Sequence, residues 1–186
     1  IRSAKDFVTR KWHRFPVEDR RDWEERIVWR YDPHSPGRFA DDFAARCEAL
    51  RARDYPLTIT INGPFWQLRE WCGFEGLCML MVDDPDLVQE MASFWTAFVT
   101  GVLGAVLEQV VPDQVMISED MGYKLHSMVS PAMARRFLLP SWAEWGGMLR
   151  KAGCPLYSDD SDGYMAELLP LWIECGFNCC FPVEVA

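Results

Sequence analysis

Basic charge is scarce in this sequence. Nineteen Lys and Arg stand against 28 Asp and Glu in 186 residues, a net charge of −9. A phosphate backbone needs a basic face, so nucleic-acid binding is excluded as a working hypothesis. Phosphate-cradling glycine motifs are also missing. No GxGxxG and no GxxxxGK[ST] follows any strand-like run, which counts against the nucleotide-binding open sheets. CxxC pairs are missing too. The seven cysteines are an odd number, two of them adjacent at Cys179-Cys180, and several lie in apolar runs. They are read as reduced, buried thiols rather than a disulfide framework. No apolar stretch runs free of Glu, Gln or Asp for long, and no leader-like segment opens the chain. The expectation is a cytoplasmic protein with no membrane partner. The absence of Met at position 1 and the apolar end at Val185-Ala186 predict a segment cut from a longer chain.

What is present is an ordinary globular composition, 49% hydrophobic and 25% charged, with nine Trp that at helical spacing belong mostly to a core. Residues 1–55 read as a helical, surface-rich segment. It has one helix from Val17 to Trp29, a breaker at Asp32-Pro33-His34-Ser35-Pro36-Gly37 and a second helix through Phe39, Phe43, Cys47 and Leu50. Residues 56–186 change rhythm. Short β-rich runs are expected at 57–61, 114–118, 155–159 and 179–183. Between them lie short helices broken at Gly73, then long helices at 85–111 and 130–152, and a helix from Met165 to Cys175 closed by Gly176. Asp84-Pro85 and Ser130-Pro131 supply N-caps followed by Pro in the first turn. Strands alternating with helices that end on Gly or Pro predict parallel βα units. Periodicity alone leaves an open sheet and a closed barrel both available.

In parallel α/β folds the site lies at the carboxyl ends of the strands. Those ends are polar here. The first reaches Asn62, the second Glu119-Asp120 followed by Tyr123 and Lys124, the third Asp159-Asp160-Ser161-Asp162-Gly163, and the fourth Glu184. Carboxylates gathered on one face can bind a hard cation, pair with a cationic substrate, or raise one another's pKa so that one serves as a general acid. They can equally cap the following helices or pair with Lys and Arg. Glu119, Asp120, Asp159 and Asp160 are the catalytic candidates, expected to share one pocket. Asn62, Tyr123, Lys124, Asp162 and Glu184 are the substrate-binding candidates. His126 reads as structural, and Arg135-Arg136 as a solvated face.

Several stretches taken in order resemble the uroporphyrinogen decarboxylase superfamily. They are Gly73-Phe74-Glu75-Gly76-Leu77-Cys78, Asp83-Asp84-Pro85-Asp86-Leu87-Val88 and Ile117-Ser118-Glu119-Asp120-Met121-Gly122-Tyr123-Lys124. Met128-Val129-Ser130-Pro131, Asp160-Ser161-Asp162-Gly163 and the run from Gly176-Phe177-Asn178 to Pro182-Val183-Glu184 complete the set. The likeness runs from about Trp12 to the end. It implies an α/β fold in which this chain supplies roughly the middle half of a (β/α)8 TIM barrel.

The resemblance also implies an enzyme on a small-molecule substrate. One branch holds the true decarboxylases of tetrapyrrole biosynthesis, which need no cofactor and carry an Arg-rich N-terminal loop that is not visible here. Another holds zinc-dependent methyltransferases that work with corrinoid proteins or coenzyme thiols. Where those carry a His-x-Cys zinc pair, this sequence has Asp159 and Ser161. The leading expectation is methyl or one-carbon transfer from a small methylated or methoxylated substrate with a corrinoid partner. Glu119 and Asp120 would then orient substrate or metal, Asp159 and Asp160 would be ligands or acids, and Tyr123 and Lys124 would polarise. A metal held by these oxygens would be a hard ion. The alternatives are uroporphyrinogen decarboxylation and a non-catalytic barrel. Open sheet edges on a partial barrel further predict a homodimer or aggregation of the isolated chain.

Overall fold

A computed structural model describes residues 14–184. Four strands form one sheet in the order of the sequence: β1 (Thr58–Asn62), β2 (Gln114–Ser118), β3 (Leu156–Asp160) and β4 (Cys179–Phe181). Every pairing is parallel. A doubly wound sheet reverses its order at a switch point, whereas this one advances one strand at a time. Right-handed crossovers then place every connecting helix on the same side. The chain is therefore an α/β array of the (β/α)-barrel type, with β1 and β4 at its two edges.

Eight helices accompany the sheet among the described residues. They are α1 (Arg20–Arg26), α2 (Phe43–Arg51), α3 (Pro64–Cys72), α4 (Phe74–Asp83), α5 (Pro85–Leu107), α6 (Pro131–Phe137), α7 (Leu139–Ala152) and α8 (Leu169–Cys175). Local chemistry sets most of their ends. Asp84 accepts the Leu87 N–H at 3.0 Å and Pro85 opens α5. Ser130 accepts the Met133 N–H at 3.2 Å and Pro131 opens α6. Gly73, at φ +74°, separates α3 from α4, as its permissive backbone allows. The single helix expected over 130–152 is two helices meeting at Leu138. Pro140 has no N–H to donate, and its ring excludes the carbonyl one turn back, so α7 restarts with Pro140 in its first turn. Pro170 likewise delays α8 to Leu169 instead of Met165.

Alternation along the strands separates two faces. Ile59 and Ile61 of β1 line a groove with Trp95, Phe98, Val99 and Leu103 of α5. In register with them, Val115 and Ile117 of β2 and Tyr157 and Asp159 of β3 also face the helices. The opposite face, which a closed barrel would enclose, carries Thr58, Thr60, Asn62, Gln114, Met116, Ser118, Ser158 and Asp160. The core between sheet and helices is aromatic. Trp142, Trp145 and Trp172 are fully or almost fully buried. Tyr157 stacks on Phe177 at 3.8 Å between ring centres and donates its hydroxyl to the Trp142 carbonyl at 3.0 Å. The N-terminal segment joins the same core through Trp23, which packs on Trp71 and Phe94. By length and apolarity α5 could cross a membrane. Its buried stripe from Leu87 to Leu103 makes it a core helix of this domain. All seven cysteines are free thiols.

Candidate functional site at the carboxyl ends of the strands

The acidic candidates lie together in sequence, and strand parity sorts them. Glu119 directly follows β2. Since Ser118 faces the barrel side, Glu119 turns toward the helices and is completely buried. Its carboxyl accepts the Trp66 N–H at 3.0 Å and the Trp142 indole N–H at 2.6 Å, with a further bond from the Phe65 N–H. Phe65 and Trp66 are in the first turn of α3, whose N-cap residue Gly63 has no side chain to offer. Glu119 thus caps α3 from another βα unit, and it needs the empty space at Gly63: a Cβ there would overlap the Glu119 carboxyl group. Burial pushes the Glu119 carboxyl up to about 8, against the pull of its N–H donors and of Arg69. Desolvation outweighs the hydrogen bonds because the group has no contact with water.

Asp159 is also fully buried on the helix side, and neither of its oxygens has a hydrogen-bond partner among the described residues. Burial holds its carboxyl well above the usual range, with Glu119 and Asp160 adding to the rise. The sequence predicts a raised carboxyl from crowding of like charge. The structure has two, and burial is the larger cause in both.

Asp120 stands apart. It is the only non-glycine residue with positive φ among the described residues, at +50°. Arg69 of α3 holds it at two points, donating to its carboxylate at 3.1 Å and to its backbone carbonyl at 3.1 Å. The same guanidinium lies over the Trp66 ring at 4.6 Å. The left-handed backbone turns the chain sharply after β2 at a cost of about 1 kcal/mol or more, which the two-point clamp offsets.

Asp160 is the acidic candidate on the barrel side. It lies in one register row with Ser118 and Asn62. The Ser118 hydroxyl donates to Asp160 at 3.4 Å, and the Asn62 amide donates to Gln67 at 3.2 Å. The four acidic candidates therefore do not share one pocket: Glu119 and Asp159 are sealed behind the sheet, Asp120 is clamped at the rim, and Asp160 faces the barrel side.

The remaining candidates lie on the loops above. Tyr123 is 71% exposed and pairs with Tyr164 through an antiparallel bridge that joins the loops after β2 and β3. Lys124, Asp162 and Glu184 are exposed. His126 pairs with Glu167 at 3.7 Å. Ser161 accepts the Met121 N–H at 2.7 Å and is buried. Arg69, Gly63, Trp142 and Ser118 are the residues that sequence reasoning did not single out. Arg69 carries a visible signal, a lone cation in an aromatic-rich helix just after a strand.

A resident metal does not fit these residues. Among the described residues no three His, Cys, Asp or Glu side chains converge on a point. The Glu119 carboxyl is filled by N–H donors, and Ser161 stands in a structural hydrogen bond.

No protein-family model and no curated protein matches the chain. Among solved structures, a methyltransferase from Methanosarcina mazei is similar, with a TM-score of 0.56 at 16% identity, over 72% of this chain and 39% of that one. The chain thus spans well under half of that structure's length, and at this identity the likeness is one of fold.

Proposed function

We propose that the chain is part of a methyl- or one-carbon-transfer enzyme of the uroporphyrinogen decarboxylase superfamily, acting on a small methylated or methoxylated substrate at the carboxyl ends of β1, β2 and β3. The observation that carries the reading is the row Asn62, Ser118 and Asp160, a set of polar groups with one carboxylate on the barrel side of parallel strands. The fold shared with a methyltransferase supports it. The sequence resemblance supports a corrinoid protein as the methyl-accepting partner.

The chemistry asked of these residues is modest. The bond between the methyl carbon and a substrate oxygen or nitrogen breaks, the methyl group passes to the acceptor, and the leaving atom keeps the electron pair. An oxygen leaving group then takes up a proton, and a carboxyl on the barrel side is placed to manage it. Asp160 has that place. Glu119 supports it indirectly by fixing α3 against β2, and Arg69 by fixing the turn at Asp120. Decarboxylation of an octacarboxylate is disfavoured, because the barrel face offers a carboxylate and the nearby guanidinium of Arg69 is already engaged.

The test is formation of methylcobalamin, followed by absorbance, when the protein meets free cob(I)alamin and a panel of methyl ethers and methylated amines. Transfer with at least one donor, lowered ~100-fold by Asp160→Asn, is expected. No transfer with any donor, or full activity in the variant, would overturn the reading.

A further inference from the structure

The charge on the barrel face specifies what kind of ligand that face accepts. The strands are the part of the fold that presents side chains to a barrel interior, and none of the four contains a Lys or Arg. Their only charged side chains are Asp159 and Asp160, and Asp159 is buried on the helix side. Among the described residues, Asp160 is therefore the only charge that these four strands place on the barrel side.

The polar groups beside Asp160 have committed much of their donor capacity to one another. The Ser118 hydroxyl hydrogen goes to one Asp160 oxygen. One hydrogen of the Asn62 side-chain amide goes to Gln67, itself buried, and the other stays open. Lower on the same face, Thr58 donates to Gln114 at 3.2 Å and the Gln114 amide donates to Ser158 at 2.8 Å, so these side chains bond to one another. What remains open at the top is mostly acceptors, namely the second Asp160 oxygen, the Asn62 side-chain oxygen and the lone pairs of Ser118, beside one Asn62 N–H. Arg69 of α3 is turned to Asp120 and lies over the Trp66 ring. An acceptor-rich row whose one charge is negative complements a ligand that brings donors and a positive charge.

We infer that the substrate enters this site as a protonated amine, with its ammonium group on the free oxygen of Asp160 and the rest of the molecule lying over Ser118 toward Asn62. The inference rests on the methyl-transfer reading for its choice of a methylated amine, and it narrows that reading from ethers and amines to amines. The chemistry stays balanced. A methylated ammonium that gives up its methyl group leaves as a neutral amine, so no proton donor is needed at the leaving atom. The row then needs only acceptors, which are most of what remains open in it. A charge-assisted N–H···O bond is roughly twice as strong as a neutral one, so Asp160 dominates the recognition.

Binding is measured without any methyl acceptor, so the outcome does not depend on transfer. The ¹⁵N-labelled protein is titrated at constant ionic strength with trimethylammonium, with its neutral near-isostere tert-butanol, and with acetate. Trimethylammonium should bind at least tenfold more tightly than either, shifting the amide signals of Ser118 and Asp160. Asp160→Asn should weaken it tenfold or more, Asp160→Glu should keep it within a few-fold, and Glu174→Gln, a surface carboxylate paired with Arg135, should leave it unchanged. Equal or tighter binding of tert-butanol or acetate overturns the proposal, and so does an Asp160→Asn protein with undiminished affinity. The order of the three ligands on the unaltered protein decides the matter even if the variants fail to fold. Ammonium binding without methylcobalamin formation would sink the methyl-transfer reading alone. Transfer from ethers without ammonium binding would sink this inference alone.

Discussion

Glu119 should make the fold alkali-sensitive. Its carboxyl is raised from 4.5 to about 8 by burial, whereas in the unfolded chain it titrates near the ordinary value. A group whose folded pKa lies above its unfolded pKa contributes stability that is fully present below the lower value. That stability is lost as the pH climbs through the upper one. The window runs from about pH 4.5 to about pH 8. At ~1.4 kcal/mol for each pH unit, the rise from 4.5 to about 8 amounts to ~5 kcal/mol across the window. That is a large part of the 5–15 kcal/mol that ordinarily separates folded from unfolded domains, so the effect should be plain in a urea midpoint. Asp159 is raised in the same sense and steepens the slope.

Glu119→Gln isolates the cause, because its effect must change sign. Gln cannot ionise, so it escapes the alkaline penalty. Its NH₂ group, however, must face one of the N–H donors that Glu119 now satisfies, at Trp66 or Trp142. That mismatch costs about 1–3 kcal/mol at any pH. Below pH 5 the variant should therefore unfold at lower urea than the parent. At pH 9 it should unfold at higher urea, with the curves crossing between. Urea midpoints by tryptophan fluorescence at half-unit steps from pH 4.5 to 9 would show it. Parallel curves that never cross would refute the reasoning, and so would a parent midpoint that rises steadily with pH.

Gly63→Ala should destabilise the fold by about 2 kcal/mol or more, read as a lowered Tm, because the new methyl group occupies the place of the Glu119 carboxyl carbon; an unchanged Tm would count against the cap. Arg69→Met keeps an apolar stem but releases the Asp120 turn. It should cost about 1–3 kcal/mol and speed amide exchange in the loop after β2, and unaltered exchange there would deny the clamp. Asn178→Ala removes a side chain that accepts the Tyr157 N–H at 3.0 Å and donates to the Pro155 carbonyl at 2.8 Å, tying β3 to the start of β4. A loss of about 1–2 kcal/mol in chemical denaturation is expected, and no loss would mean that the bridge is idle.

The fold was legible in the sequence where the physics is local. Asp84-Pro85 and Gly73 set helix ends through capping and backbone freedom, and the structure has them at those places. The four β-rich runs became four parallel strands. The expected strand over 155–159 lies one residue further on, at Leu156–Asp160. For a helix that slip is trivial. For a strand it matters, because the side-chain period is two and a one-residue error exchanges the faces. Asp159 and Asp160 are neighbours of the same chemical type, so nothing local distinguishes the buried one from the one on the barrel side. Only the register with Ile117 and Ser118 does, and that register is a property of two strands together.

The same limit hid the role of Glu119. Its partners Trp66 and Trp142 belong to helices before and after it in the chain, and the vacancy it fills belongs to Gly63. A glycine at an N-cap reads as a weak cap in isolation. Next to Glu119 it becomes the one residue small enough for the cap to arrive from elsewhere. A carboxylate at a strand end is thus an ambiguous sign in a parallel α/β chain. Where the next residue starts a turn and a glycine caps the neighbouring helix, the carboxylate is built into the scaffold. Where a hydroxyl in the adjacent strand donates to it on the barrel side, as Ser118 does to Asp160, it is left with an oxygen free for a ligand.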